Sequence, residues 1–565
     1  MTEHIKKSLR DSTAARWTAL VLASLSIFGA YYFNYALSAI KPMLESILGW
    51  NSSEIGNYMS SYAWFNVFLF MLIISGFILD KLGIRKTGLG ATVVMFIGTA
   101  INYWAVSHHF PDNAVVHLPL LGEMKVQVLW SSFGFAIFGV GTEATGITIS
   151  KAIVRWFKGK EMALAMGMQM AIARLGTALA VAISIPLAKK FTVTAPILFA
   201  MTVMLIGVIS FISFSLMDIK LDKSEAVPEE EKSEENEFKI RDIVYIIKNR
   251  GFWYIAILCV LFYSAVFPFL FYANDLMINK YNVNPNLAGT ITMLLPFGTI
   301  LLTPVFGGIY DKFGKGATIM IIGSLILVFV HGVFLIPSLR MWWVAAAMVI
   351  ILGIGFSLVP SAMWPSVPKI IPEQRLGTAY AVIFWIQNIG LWAVPLMLGV
   401  VLNYTNPDVS PNKKLVKGAI EKAFSETLAS AGYTPKEINR TIEKATGSAV
   451  DSIVQYSHYE PVLSGRVDPA KVENEIYTGI IQNTRNINLS GDKDVVTAEV
   501  IKAAARSAYQ TIKKEKLNLR YNYFYDILIF LGLAILSVLF AFLLKMEDRH
   551  KGYGLEMPNI QKTEE

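Results

Sequence analysis

Apolar residues in this chain run in windows of about 20, separated by short turns that collect Gly, Lys and Arg. Twelve such windows are legible, at residues 17–40, 56–79, 87–107, 126–150, 161–187, 192–216, 251–274, 286–309, 316–337, 341–364, 376–403 and 522–545. Each is long enough to cross a hydrocarbon core as a helix. The pattern predicts an all-α membrane protein with twelve transmembrane helices in two six-helix halves.

Two polar stretches break the rhythm. Residues 218–250 carry the acidic run "VPEEEKSEENE", expected to be a flexible cytoplasmic linker. The following "FKIRDIVYIIKN" has the look of an interfacial amphipathic helix. Residues 404–520 are polar and helix-prone, and "TPKEINRTIEKA" opens with a Thr434/Glu437 capping box and Pro435 at the first helical position. The expected organisation is an N-terminal half at 1–217, the linker, helices seven to eleven at 251–403, a small extracytoplasmic helical insert at 404–520, and helix twelve with a cytoplasmic tail at 521–565.

Composition agrees with a membrane chain: 54% of residues are hydrophobic and 16% charged, whereas a soluble protein carries about a quarter charged residues. The net charge of +8 fits a basic cytoplasmic face and requires no nucleic-acid partner. Lys81, Arg85, Lys86, Lys151, Arg155, Lys158, Lys160, Lys312, Lys315, Lys369 and Arg375 fall in alternate loops, against Lys41, Lys125 and Lys280 in the others. That bias places both termini in the cytoplasm. The N-terminal stretch leads into a full span without a small-residue cleavage site, so a retained helix is expected. Cys259, the single cysteine, lies inside a span and allows no intrachain disulfide.

The loop after the second window reads "GFILDKLGIRK", with Gly76, Asp80, Gly83, Arg85 and Lys86; the loop after the eighth reads "GGIYDKFGKG", with Gly307, Asp311 and Gly314. The Gly, Asp and Gly recur at identical spacing in equivalent places. Parallel six-span repeats around a central pathway define one large transporter architecture. Each Asp is expected to meet a neighbouring helix N-terminus or an Arg across the cytoplasmic face and to latch the outward-open state. A basic turn that merely anchors topology is the simpler alternative.

Glu143 interrupts the apolar "IFGVGTEATGITI", where a bare carboxylate costs several kcal/mol. It lies twelve residues before Arg155, or ~18 Å along a helix. Arg174 lies thirteen residues into the next window, or ~20 Å. The two groups therefore sit at similar depth on neighbouring antiparallel helices, and Gly139, Gly141 and Gly146 permit close approach there. Three roles compete. The pair is a structural salt bridge, or a clamp for the ammonium and carboxylate of a zwitterion such as a dipeptide, or Glu143 is a proton carrier. Clamp and carrier are compatible.

The duplicated GxxxDxxG pattern resembles the major facilitator superfamily. Within it, "ISKAIVRWFKGKEMALAMGMQMAIARLG", "AMWPSVPKIIPEQRLGTAYAVIFWIQNIGL" and "FYSAVFPFLFYA" are similar to segments of the subfamily that contains the lysosomal dipeptide uniporter. The resemblance implies the major facilitator fold, a dipeptide cargo, and Glu143 and Arg174 around it. The chain departs from that subfamily in its first window, "YYFNYALSAI", where Ala36 stands at an expected Asp. Glu143 is then the only deep acid of the N-terminal half. The insert and the acidic linker have no counterpart in the family pattern.

Further cavity candidates are the polar and aromatic residues inside windows: Tyr32, Asn34, Asn66, Gln169, Tyr263, Trp364, Gln387 and Asn388. Asp275 and Asp526 are expected at the outer surface of the membrane, His108 and His109 solvated in an outer loop. Pro360, Pro365 and Pro368 are expected to break or bend the tenth span and give it a hinge. No phosphate-binding loop, metal-ligand spacing or nucleophile–base arrangement is present, so neither an enzyme nor a cofactor or metal is expected. The expected partners are a small-molecule substrate and the bilayer, for a monomer whose insert offers a surface to a protein partner. The rival cargo is an organic anion or monocarboxylate, and the rival class a non-transporting receptor acting through the insert. Composition suggests a bacterial inner membrane, and the sequon "NRT" a lysosome-like membrane if the source is eukaryotic.

Overall fold

A computed structural model describes residues 9–111, 114–118, 122–157, 161–225, 240–372, 375–430, 433–434, 437–438, 468–485, 487 and 493–558. Among these, 11 helices are long and apolar enough to cross a membrane. The helices are α1 Thr13–Ala39, α2 Lys41–Leu48, α3 Ser52–Ser61, α4 Trp64–Phe68, α5 Met71–Ser107, α6 Val126–Phe157, α7 Met162–Lys190 and α8 Ala195–Glu225 in the first part. The second part holds α9 Ile240–Ile247, α10 Arg250–Tyr281, α11 Pro285–Thr292, α12 Leu294–Phe313, α13 Gly316–Leu335, α14 Trp342–Ile370 and α15 Leu376–Thr405. After these come α16 Val409–Ser430, α17 Pro469–Thr484, α18 Lys493–Glu515 and α19 Phe524–Lys551.

The expected second span is built in pieces, which is why the count is 11. Helices α3 and α4 precede α5, and α5 itself joins the second and third windows across Gly83, whose φ of 75° and ψ of 173° are not helical. Phe70, ahead of α5, has a left-handed φ of 53°. The equivalent loop of the other half repeats the device: Gly314 caps α12 with φ 68°. The second glycine of each copy of the repeat, Gly83 and Gly314, thus turns the chain at positive φ, where a side chain is disfavoured.

The expected break in the tenth span does not occur: helix α14 runs through Pro360, Pro365 and Pro368 as one helix. Pro368 cannot donate to the Trp364 carbonyl four residues back, and the Tyr380 hydroxyl donates to it instead at 3.2 Å. The loop between α5 and α6 holds a short antiparallel hairpin, β1 Val115–Leu118 with β2 Gly122–Lys125, in register Val115↔Lys125. His108 and His109 are exposed beside it, and His108 stacks on Trp104 at 5.5 Å.

Helix α9 falls within the expected interfacial segment, with Val244 and Tyr245 exposed and Ile246 buried. Helices α16, α17 and α18 pack on one another through apolar faces such as Ile420 and Phe424, Ile476 and Ile480, and Val500 and Ala504. The capping box is formed: Glu437 N donates to Thr434 Oγ1 at 3.4 Å and Thr434 N to the Glu437 carboxylate at 2.9 Å. Pro435 and the rest of that motif lie outside the described residues. The side of the bundle bearing α16–α18 is called the insert side below, and the opposite one, bearing α9, the linker side.

Candidate functional site

A cavity of about 910 Å³, its open mouth included, lies between the halves. From α1, α6 and α7 come Tyr31, Asn34, Tyr35, Thr142, Glu143, Met170 and Arg174; Met59 and Tyr62 come from α3 and its end. The opposite wall is Tyr263, Phe267 and Phe271 of α10, Trp364 of α14, and Phe384, Gln387 and Leu391 of α15. Among the described residues that line it, Glu143 is the one acid and Arg174 the one base.

The two groups matched by depth both line this cavity, and their contacts differ from a salt bridge. Glu143 accepts from the Tyr62 hydroxyl at 3.0 Å, and the Asn388 amide lies next to the same carboxylate. Gly139 makes the first contact feasible: a Cβ there would collide with the Tyr62 carbonyl. Gly141 packs likewise on Ala91, while Gly146 faces open space. The buried Arg174 guanidinium stacks over Phe356, Phe267 and Tyr31 at 4.8, 5.2 and 5.8 Å. Its Nη1 has no hydrogen-bond partner among the described residues. No ion pair joins Glu143 to Arg174 among the described residues.

The other candidates divide. Asn34, Tyr263, Trp364 and Gln387 line the cavity. Trp364 Nε1 donates to the Tyr263 hydroxyl at 3.0 Å, and the Cys259 thiol donates to Gln387 Oε1 at 3.6 Å. Asn388 is not among the lining residues; its amide, beside the Glu143 carboxylate, donates to the Phe384 carbonyl at 3.0 Å. Tyr32 does not line the cavity; it packs edge-on against Phe199 with ring centroids 4.9 Å apart. Gln169 and Asn66 are buried away from it.

On the linker side, Asp80 pairs with Lys151 of the same half at 2.5 Å rather than with an Arg or a helix end. Arg85 pairs with Asp222 at 2.8 Å and lies 3.6 Å from Asp218. Asp218 also accepts from Arg155 and from Trp156, each at 3.0 Å. Lys86 is exposed, and Gly76 and Gly307 face open space. Gly314 is covered by the C-terminal stretch: Lys315 N and Gly316 N donate to the carbonyls of Glu556 and Leu555, each at 2.9 Å. The acids Asp218 and Asp222 carried no periodic signal of their own, so sequence reasoning missed them.

The insert side holds a buried ionic cluster that sequence reasoning also missed. Lys41 lies 2.7 Å from Glu45 and 2.6 Å from Asp275, and Lys413 of α16 lies 2.7 Å from Glu45. Burial alone would push the Lys41 ammonium down, but Asp275 and Glu45 outweigh it and hold it above the ordinary lysine value. Asp275 and Asp526 lie at the insert-side ends of α10 and α19, at the depth expected of them, and are buried within the protein at 1% and 2% exposure. The halves meet closely on this side. A Cβ added to Gly399 would lie 2.5 Å from the Ser52 carbonyl, and one on Gly289 would collide with that of Val181.

A helical bundle with paired halves, a central cavity with opposed charges, and closure on one side defines a membrane transporter of small solutes. Residues 23–395 match the Major Facilitator Superfamily, and the chain belongs to that family of transporters. It is 26% identical over 392 residues to the lysosomal dipeptide transporter MFSD1 of Danio rerio, covering 66% of this chain and 78% of the relative. With the Homo sapiens protein of the same name it shares 27% identity over 401 residues, covering 69% and 80%. Solved structures with the same fold include a D-xylose–proton symporter, with TM-score 0.52, 13% identity and coverage of 78% and 97%. A bacterial homologue of the human lysosomal transporter Spinster, inward-facing and unoccupied, gives TM-score 0.55 at 11% identity, covering 94% and 99%.

Proposed function

We propose that the chain is an alternating-access secondary transporter of dipeptides, moved by uniport or by proton coupling through Glu143. The observation that carries this reading is the pair of opposite charges held apart on one cavity. Glu143 receives the ligand ammonium, and Arg174, with Nη1 unsatisfied, receives the carboxylate. A structural bridge would have closed the distance between them. A simple monocarboxylate would use Arg174 and leave the opposite charge without a partner. The MFSD1 relatives, named as dipeptide transporters, point to the same cargo.

In this reading the linker side is cytoplasmic, with both termini, and the insert is extracytoplasmic. The cluster of Lys41, Glu45, Asp275 and Lys413 holds the insert side shut. Opening that side exchanges these contacts for closure at the repeated loops, with Gly83 and Gly314 as the turns and Asp80, Arg85 and Asp311 as gating groups. Counterflow of labelled alanyl-alanine into proteoliposomes tests the function. Accumulation driven by unlabelled dipeptide and not by lactate is expected; exchange of lactate alone would replace it with the anion reading.

A further inference from the structure

The two walls of the cavity are chemically unlike. Both charges stand on the wall built by α6 and α7, whereas the wall built by α10, α14 and α15 is mainly aromatic. On that second wall Trp364 has its only donor engaged, because Nε1 donates to the Tyr263 hydroxyl at 3.0 Å. Its backbone is held as well, through the Tyr380 hydroxyl on its carbonyl at 3.2 Å. The Phe384 ring lies 4.9 Å from the indole, and Tyr263 stacks on Phe267 at 5.1 Å. Apart from the Gln387 amide and the Tyr263 hydroxyl, what this wall offers a ligand is mainly ring surface.

Aromatic rings also attract cations, so a lysine side chain is the alternative guest. The Phe267 ring already carries the Arg174 guanidinium at 5.2 Å. A second cation would meet that charge with no acid to offset it, since Glu143 is the one acid among the described lining residues. Ala36, at the place where the resemblance sets an acid, is a fully buried methyl.

We propose that the cavity selects dipeptides with uncharged, apolar side chains, and that Trp364 and Phe384 are the platform on which a side chain rests. The inference depends on Glu143 and Arg174 holding the two termini. Once both are engaged, a Lys side chain finds no acid and an Asp side chain no base, and burying either charge unpaired is unfavourable. An apolar side chain instead removes its own surface and that of the rings from water.

Calorimetric titration of the purified full chain with leucyl-phenylalanine, alanyl-alanine, lysyl-leucine and aspartyl-leucine tests this. Leucyl-phenylalanine is expected to bind at least tenfold more tightly than either charged dipeptide and more tightly than alanyl-alanine. Trp364→Ala is expected to weaken leucyl-phenylalanine about tenfold and alanyl-alanine less than threefold; Phe384→Leu repeats the test if that protein does not fold. Equal affinity for lysyl-leucine and leucyl-phenylalanine overturns the inference, as does an equal loss for both neutral dipeptides in the variants. In those cases alanyl-alanine still binds and the dipeptide reading stands; if none of the four binds, both readings fall.

Discussion

Glu143 on α6 and Arg174 on α7 line one cavity, and each is held by a different neighbour: Glu143 by the Tyr62 hydroxyl at 3.0 Å, Arg174 by the Phe356 ring at 4.8 Å. In the proposed function these two charges, which do not neutralise one another, receive the ligand. Arg174→Lys keeps the charge but loses the planar fork that grips a carboxylate. Dipeptide binding measured by calorimetry should weaken at least tenfold, while the melting temperature of the ligand-free protein stays within a few degrees.

Tyr62 supplies a hydrogen bond that Glu143 would otherwise lack on that side. Removing one partner of a buried pair costs about 1–3 kcal/mol. Tyr62→Phe should therefore lower the stability of the ligand-free protein by that order, read as a drop in melting temperature. Added dipeptide should restore part of it, because its ammonium takes over the carboxylate. A drop that ligand does not reduce would separate Glu143 from the binding site.

The site was legible in the sequence where it depended on depth along a helix, and illegible where it depended on folding in three dimensions. Glu143 and Arg174 could be matched because both depths count back from one short loop. Gly83 and Gly314 were found because the repeat marked them. Tyr62 could not be matched, since it ends α3 in a span that is broken into pieces. Tyr32 was chosen over its neighbour Tyr31 because helical phase in an apolar window is nearly featureless; the structure turns Tyr31 to the cavity and Tyr32 to Phe199. The insert-side cluster escaped notice for another reason: Glu45 and Lys413 are separated by 368 residues.

Lys413 is one direct tie of the insert to the bundle, beside Lys417 on the Ile47 carbonyl, and its partner Glu45 is also held by Lys41. Lys413→Met leaves a buried carboxylate with one ammonium in place of two. Because charges in one network couple, a double-mutant cycle of Lys413→Met and Glu45→Gln should give a coupling energy of about 1 kcal/mol or more. The melting temperatures of the four proteins, with the unfolding enthalpy, supply it. Simple additivity would mean that the insert is only attached.

Gly399 packs against Ser52 and Gly56 where the halves meet on the insert side. Gly399→Ala places a methyl 2.5 Å from the Ser52 carbonyl, which backbone must move to admit. Labels at His109→Cys and Ser338→Cys, both exposed in insert-side loops, should move apart by several ångström in that variant by electron-spin distance measurement. An unchanged distance would place the gate elsewhere.

The claim that two charges receive the two ends of a zwitterion is tested most directly by competition against labelled alanyl-alanine. The competitors are alanyl-alanine, its N-acetyl derivative without an ammonium, and its amide without a carboxylate. The unaltered protein should bind each derivative at least tenfold more weakly than the parent. Glu143→Gln should erase the discrimination against the N-acetyl form alone, and Arg174→Ala that against the amide alone. Discrimination that survives in both variants, or derivatives that compete as well as the parent, would contradict the account.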